Sequence, residues 1–170
     1  MALLDVIRKR YSCRAYQQKP IEQEKIDLLL EAARLAPSAR NTQDWRFVVV
    51  TDEQIKHNLA QATNRPDVFE KAGAIIAACS NSDHIMRCGQ PIAPIDVSIA
   101  LEHIALQATE IGLGTCWIGS FDAEKTQTVL DIPDDIQIIE LMTVGYPADK
   151  QKPPDREPVE KIVCYDKWKF

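Results

Sequence analysis

No stretch of this chain approaches the ~20 consecutive apolar residues that a bilayer-spanning helix requires. The opening segment, Met1 to Ile7, is short and carries Asp5, so it is not read as a signal peptide. Surplus positive charge is also missing. Lys and Arg total 20 against 25 Asp and Glu, and the formal net charge of −5 argues against a nucleic-acid surface. The five cysteines (Cys13, Cys79, Cys88, Cys116 and Cys164) are odd in number and widely spaced, with no Cys-x-x-Cys pair. That pattern disfavours a disulfide framework or a zinc site and makes a reducing cytoplasm the expected setting. His84 stands four residues before Cys88, but no second ligand pair accompanies it. Internal repeats, low-complexity tracts and interdomain linkers are absent as well. What remains is a single domain, residues 1–170, long enough to bury a core.

The chain is organised around Pro37-Ser38-Ala39-Arg40-Asn41-Thr42-Gln43-Asp44-Trp45. Pro37 disfavours the α conformation at Ala36, so a helix over Pro20 to Ala36, with Ile26, Leu29, Leu30, Ala33 and Leu35 as its apolar face, should stop there. Trp45, Phe47 and Val49 then alternate with Arg46, Val48 and Val50, as in a strand with at least one buried face. The connection offers a hydroxyl, two amides and backbone N–H groups but no acid–base group suited to neutral pH. It is equipped to read a planar, amide-rich ligand rather than to move protons. On residues alone it reads equally well as an ordinary helix-to-strand connection.

Ahead of that helix, Leu3, Leu4 and Ile7 suggest a short amphipathic helix. In Arg10-Tyr11-Ser12-Cys13-Arg14, Arg10, Ser12 and Arg14 share a side if the chain is extended. Two guanidinium forks about a hydroxyl suit a phosphate; a solvated basic turn is the other reading. After the loop, Asp52 caps a helix through Ile55, Leu59 and Ala62, broken at Asn64-Arg65-Pro66. Ala74 to Cys79 is a buried strand. Asn81 to Pro94 reads as irregular, and Asp96 as the cap of a long helix from Val97 to about Ile111, apolar nearly all round and so destined for a core or an interface. Gly112-Leu113-Gly114-Thr115-Cys116-Trp117-Ile118-Gly119-Ser120 is not a dinucleotide fingerprint, because Trp117 stands where its third glycine belongs. It reads as a short strand ending at Gly119, where backbone can approach a ligand closely. Asp122 opens a helix over Ala123 to Leu130, and Ile136 to Gly145 is a strand. Helices and strands without regular βα alternation give an α+β fold.

Pro-Ser-x-x-Asn-x-Gln-x-Trp-x-Phe at Pro37 to Phe47 resembles the flavin-binding loop of the nitroreductase family, the FMN-dependent NAD(P)H oxidoreductases. Arg-x-Ser-x-Arg at Arg10, Ser12 and Arg14, with Tyr11 between, resembles that family's segment for the FMN phosphate and ribityl chain. Gly-Leu-Gly-x-x-Trp-Ile-Gly, ending at Ile118 and Gly119, is similar to the segment whose backbone lies along the isoalloxazine ring. Pro-x-Arg at Arg156 resembles half of a basic pair that closes over the phosphate. The usual lysine is Pro154 here, and Lys150 or Lys152 is the candidate replacement. Some members carry a glutamate where this chain has Gly119.

The resemblance implies a central mixed or antiparallel sheet flanked by helices, in an intertwined homodimer packed through the long helix, with FMN at the subunit interface. It implies a phosphate on Arg10, Ser12, Arg14 and Arg156. The ring would lie over Pro37, Ser38 and Asn41, with Asn41 and Gln43 reading its edge, Gly119 and Ser120 near N5, and Ala39 also among the cofactor-binding residues. NADH or NADPH would give a hydride, and a nitroaromatic or quinone-like acceptor would take it in a ping-pong cycle. The lack of a nucleophile elbow, metal cluster or P-loop fits chemistry that resides in a cofactor, with no catalytic side chain. Other expectations within the resemblance are a non-catalytic flavin-binding protein, or a relative performing dehalogenation or flavin breakdown. The last residues, with Val159, Ile162, Val163, Tyr165 and Trp168, are apolar enough to dock on a partner subunit.

Overall fold

The alternating run after the loop forms β1 (Trp45–Val50), and the continuous apolar run forms β2 (Ala74–Ser80). Two further strands, β3 (Gly114–Ile118) and β4 (Gln137–Gly145), complete a four-stranded sheet in the order β1-β2-β4-β3. These come from a computed structural model that describes residues 3–149 and 153–170. All three pairings among these four strands are antiparallel, so of the expected mixed or antiparallel sheet it is the antiparallel form. β1 and β3 are the edges. The N-terminal segment extends the β3 edge by one parallel bridge, Ser12 to Thr115, where the Cys13 N–H donates to the Thr115 carbonyl at 2.8 Å.

Among the described residues, six α-helices surround the sheet: α1 (Asp5–Lys9), α2 (Gln23–Arg34), α3 (Glu53–Ala60), α4 (Pro66–Lys71), α5 (Ile92–Glu110) and α6 (Ala123–Leu130). Asp52 and Asp122 cap α3 and α6 as their positions predict, accepting from the N–H of Ile55 and of Lys125. The break at Asn64-Arg65-Pro66 is real, but Pro66 also opens α4, because a proline at the first helical position lacks only an N–H with no partner in the helix.

α5 starts earlier than Asp96 suggests. It begins at Ile92, and its N-cap is Pro91. Pro94 fits within the first turn, where its missing N–H breaks no helical hydrogen bond. Asp96 therefore lies inside the helix, buried, and is not its cap.

α5 covers one face of the sheet. Ala100, Leu101, Ile104, Ala105 and Ala108 pack with Ile76, Ala78, Met142 and Val144, and with Leu29 and Ala33 of α2. The opposite face is filled by Leu59, Phe69, Ile75, Ala77, Cys79, Ile118 and Leu141. Gly145 is required at the far end. A Cβ there would meet the Tyr16 ring at 2.8 Å and the Gly73 nitrogen at 3.0 Å. None of the described helices is long and apolar enough to cross a membrane.

Candidate functional site

Strand register places four connections at one end of the sheet. β1 starts where β2 ends, with Trp45 opposite Ser80, and Ser80 lies opposite Gln137 at the start of β4. β3 ends nearby, with Ile118 opposite Leu141. Residues 37–44, 81–91, 119–122 and 131–136 thus share this end.

The 37–44 loop is held in an unusual backbone shape. Arg40, Asn41 and Gln43 all have positive φ, at 53°, 57° and 54°. Non-glycine residues in that region cluster at ligand-binding loops, where surrounding contacts impose them. Here the Ser38 hydroxyl accepts from the Gln43 N–H at 3.0 Å, and the Gln43 side-chain amide donates to the Asn41 carbonyl at 3.3 Å. The Ala39 N–H donates to both carboxylate oxygens of Asp96, tying the loop to the start of α5. Arg46 donates to the Gln43 carbonyl at 3.2 Å. Pro37, Asn41 and Gln43 remain exposed, and Ser38 and Ala39 are half-buried.

The second half of the site lies along β3. Gly119 and Ser120 are exposed just beyond its end, and Ile118 is buried. Their turn is fixed from the side: Phe121 bridges Thr63, and the Asp122 N–H donates to the Ala62 carbonyl at 2.7 Å. Ser12 lies beside Thr115, about 13 Å up the strand from Gly119 at ~3.3 Å per residue. Arg10 turns toward α5, where its Nε is 3.6 Å from Glu102. Tyr11 is half-buried, and its hydroxyl donates to the Asp149 carbonyl at 3.2 Å. Arg14 is exposed and donates to the Ser12 carbonyl at 3.4 Å.

Burial pushes the Cys116 thiol on β3 upward, the guanidiniums of Arg14 and Arg65 pull it down, and the Glu140 carboxylate pushes it up again. Arg65, which the sequence did not single out, has its Nε 3.8 Å from Asp67.

Arg10, Tyr11, Ser12, Arg14, Ile118, Gly119 and Ser120 are thus gathered on the β3 edge. Pro37, Ser38, Ala39, Asn41 and Gln43 are gathered on the β1 edge. With β2 and β4 between, the two groups are separated within one chain by three strand spacings, about 14 Å. Arg156 joins neither. It is exposed and donates only to the carbonyls of Pro154 and Asp155, at 3.3 and 3.4 Å. Lys150 and Lys152 lie outside the described residues.

The fold is thus an antiparallel α+β sheet with a constrained amide loop at one edge and an arginine-bearing N-terminal segment beside the other. The chain belongs to the nitroreductase family: the model described as "Nitroreductase family" matches residues 7–65 and 60–146. A nitroreductase family protein of known structure from Clostridium difficile 630 is 31% identical, over 99% of this chain and 100% of that one, with a TM-score of 0.86. An FMN-dependent nitroreductase from Clostridium difficile R20291 is 28% identical, over 97% and 96% of the two chains, with a TM-score of 0.78. Among curated relatives, an NADPH-dependent oxidoreductase from Staphylococcus aureus (strain bovine RF122 / ET3-1) is 26% identical over 96% of this chain and 73% of its own.

Proposed function

We propose that the protein is an FMN-dependent NAD(P)H oxidoreductase that passes hydride to an electron-poor small molecule such as a nitroaromatic or a quinone. Family membership supports this reading, and so do the relatives' names: FMN-dependent for one, NADPH-dependent for another. The residues present fit a flavin mononucleotide. Arginines and a serine hydroxyl on the β3 edge match a phosphate. Exposed backbone at Gly119, with no Cβ to shield it, matches the edge of a ring, and the loop amides match its polar atoms. Bound there, FMN supplies two-electron chemistry that the side chains lack.

The observation that carries the reading is the separation of the two half-sites across the sheet. One flavin is best served by the β3 edge of one subunit and the 37–44 loop of a second. A homodimer also accounts for exposed apolar surface. Leu4, Leu35 and Leu106 line a groove formed by α1, α2 and α5, and Leu35 is 63% exposed. Val159, Ile162, Tyr165 and Trp168 near the C-terminus are exposed too, and a partner subunit is the surface we assign them.

In the working site, Arg10, Ser12, Arg14 and Arg65 bind and orient the phosphate end, with Arg156 closing over it from the tail. Asn41 and Gln43 orient the ring, and the Gly119–Ser120 backbone fixes the reacting edge. Donor and acceptor use one shared site in turn, in a ping-pong cycle. The five free cysteines agree with a cytoplasmic setting.

The test is the visible spectrum of the purified protein, after adding FMN and removing the excess, then after anaerobic NADH and NADPH. Retained flavin bands bleached by a pyridine nucleotide are the expected result. Bands that neither donor bleaches would make this a flavin-binding protein. A colourless protein would overturn the site.

A further inference from the structure

Among the described residues, Glu140 alone has a buried side-chain polar atom, Oε1, without a hydrogen-bond partner. It stands on β4 next to same-face residues, Met142 and Val144, that are apolar and buried. Continuing the β3–β4 register past Ile118 and Leu141 sets Gly119 opposite Glu140. An ideal Cβ on Gly119 would stand 3.5 Å from each carboxylate oxygen. The carboxyl thus lies behind the one residue of β3's end that has no side chain. A register shift between Ala78 and Cys79 kinks the ladder beside it, and bulges of this kind re-aim a side chain.

Among the described residues, no ion pair offsets this burial. Desolvation raises the Glu140 pKa, and only the N–H groups of Leu141 and Ile118 favour its charge. A methionine or valine at this position would avoid the cost of an unsatisfied carboxyl oxygen. Titratable groups kept in such surroundings concentrate at functional sites.

We propose that Glu140 sets how strongly the site prefers oxidised over reduced flavin, its negative charge behind Gly119 disfavouring the added electrons. The inference rests on the flavin reading of Gly119 and Ser120 given above. A fixed charge in a partly desolvated site acts more strongly on a neighbouring ring than it would in water. Removing it stabilises the electron-rich form more than the electron-poor one.

The experiment is the midpoint potential of FMN bound to the full chain, by reductive titration against a reference dye at about pH 8.5, above the ordinary carboxylate range. Glu140→Gln and Glu140→Ala are compared with wild type and with Glu160→Gln, an exposed acid near the C-terminus. Both Glu140 variants should shift positive by about 30 mV or more, equal to about tenfold in reduced-over-oxidised affinity for a two-electron couple, with oxidised FMN affinity changed by less than about threefold. Glu160→Gln should leave both unchanged. If Glu140→Gln fails to fold, Glu140→Ala carries the test. Retained flavin at an unchanged potential would remove the role of Glu140 and leave the flavin reading standing. A wild type that retains no flavin would overturn both.

Discussion

The Asp96 carboxylate accepts the Ala39 N–H through both oxygens, at 3.2 and 3.0 Å, and so fastens the 37–44 loop to the first turns of α5. Since α5 also packs on the sheet, the loop's positive-φ conformation is referred to the core rather than left to its own sequence. Asp96→Ala should lower stability by roughly 1–3 kcal/mol, the usual cost of losing a hydrogen bond to a charged group. It should also speed release of FMN. Asp96→Asn keeps an acceptor and should fall between. Thermal melts with flavin-release kinetics decide it: a variant that melts lower but holds flavin as tightly would confine Asp96 to folding.

The two-edge site makes a prediction about subunits. Arg14→Ala alters the β3 half and Asn41→Ala the β1 half. Each homodimer should bind FMN about 10- to 100-fold more weakly, in line with ~1.5–3 kcal/mol for a charge-assisted contact and somewhat less for a neutral one. Unfolding and refolding the two variants as a mixture should restore wild-type affinity to about a quarter of the sites, because half the dimers are mixed and each mixed dimer has one intact site. Equilibrium dialysis measures this. If mixing restores no site, each site is built within one chain.

Leu106→Glu places a charge in the apolar groove between α1, α2 and α5. Sedimentation should then report a monomer, and flavin should be lost with the dimer. A monomer that keeps its flavin would contradict the composite site.

Gly145 has no space for a side chain against Tyr16 and the Gly73 backbone. Gly145→Ala should cost about 1–3 kcal/mol through overpacking, read from denaturant unfolding. The nearby Tyr16 hydroxyl shares a 2.9 Å hydrogen bond with the Thr143 hydroxyl, so displacing the ring also strains a buried polar contact.

Acid sensitivity should trace in part to Glu22. The Tyr146 hydroxyl donates to its carboxylate, and Lys19 and Lys25 stand close, which holds its pKa at about 2 instead of 4.5. A depressed carboxyl contributes stability that is fully present above the unfolded value and lost as pH falls through the folded one. Melting temperatures of wild type should therefore drop between pH 4.5 and about 2 more steeply than those of Glu22→Gln. The difference should be small, because the group is exposed and screened. Parallel slopes would dismiss the contact.

Much of this protein was legible in its residues because the signals are local. The 3.6-residue spacing of Ile26, Leu29 and Ala33, the caps Asp52 and Asp122, and the apolar run at Ala74 each depend only on near neighbours. The loop from Pro37 and the strand from Trp45 were marked by chain chemistry of the same short range. The start of α5 was misread because an aspartate before an apolar helix looks the same as a cap, whether its partner is its own backbone or, as here, Ala39 57 residues away. Pairing order is equally non-local. Nothing in the sequence sets β4 between β2 and β3, yet that order separates the two groups of candidate residues across the sheet. The orphaned oxygen of Glu140 belongs to the same category. Its alternation with Met142 and Val144 already puts it on their face; only the register with Gly119 shows what lies beside it. The sequence by itself determined the elements and marked the candidate loop between two of them, because propensity, capping and turn chemistry act over a few positions. The tertiary structure decided which of those residues meet, because antiparallel pairing and core burial act between segments far apart in the chain.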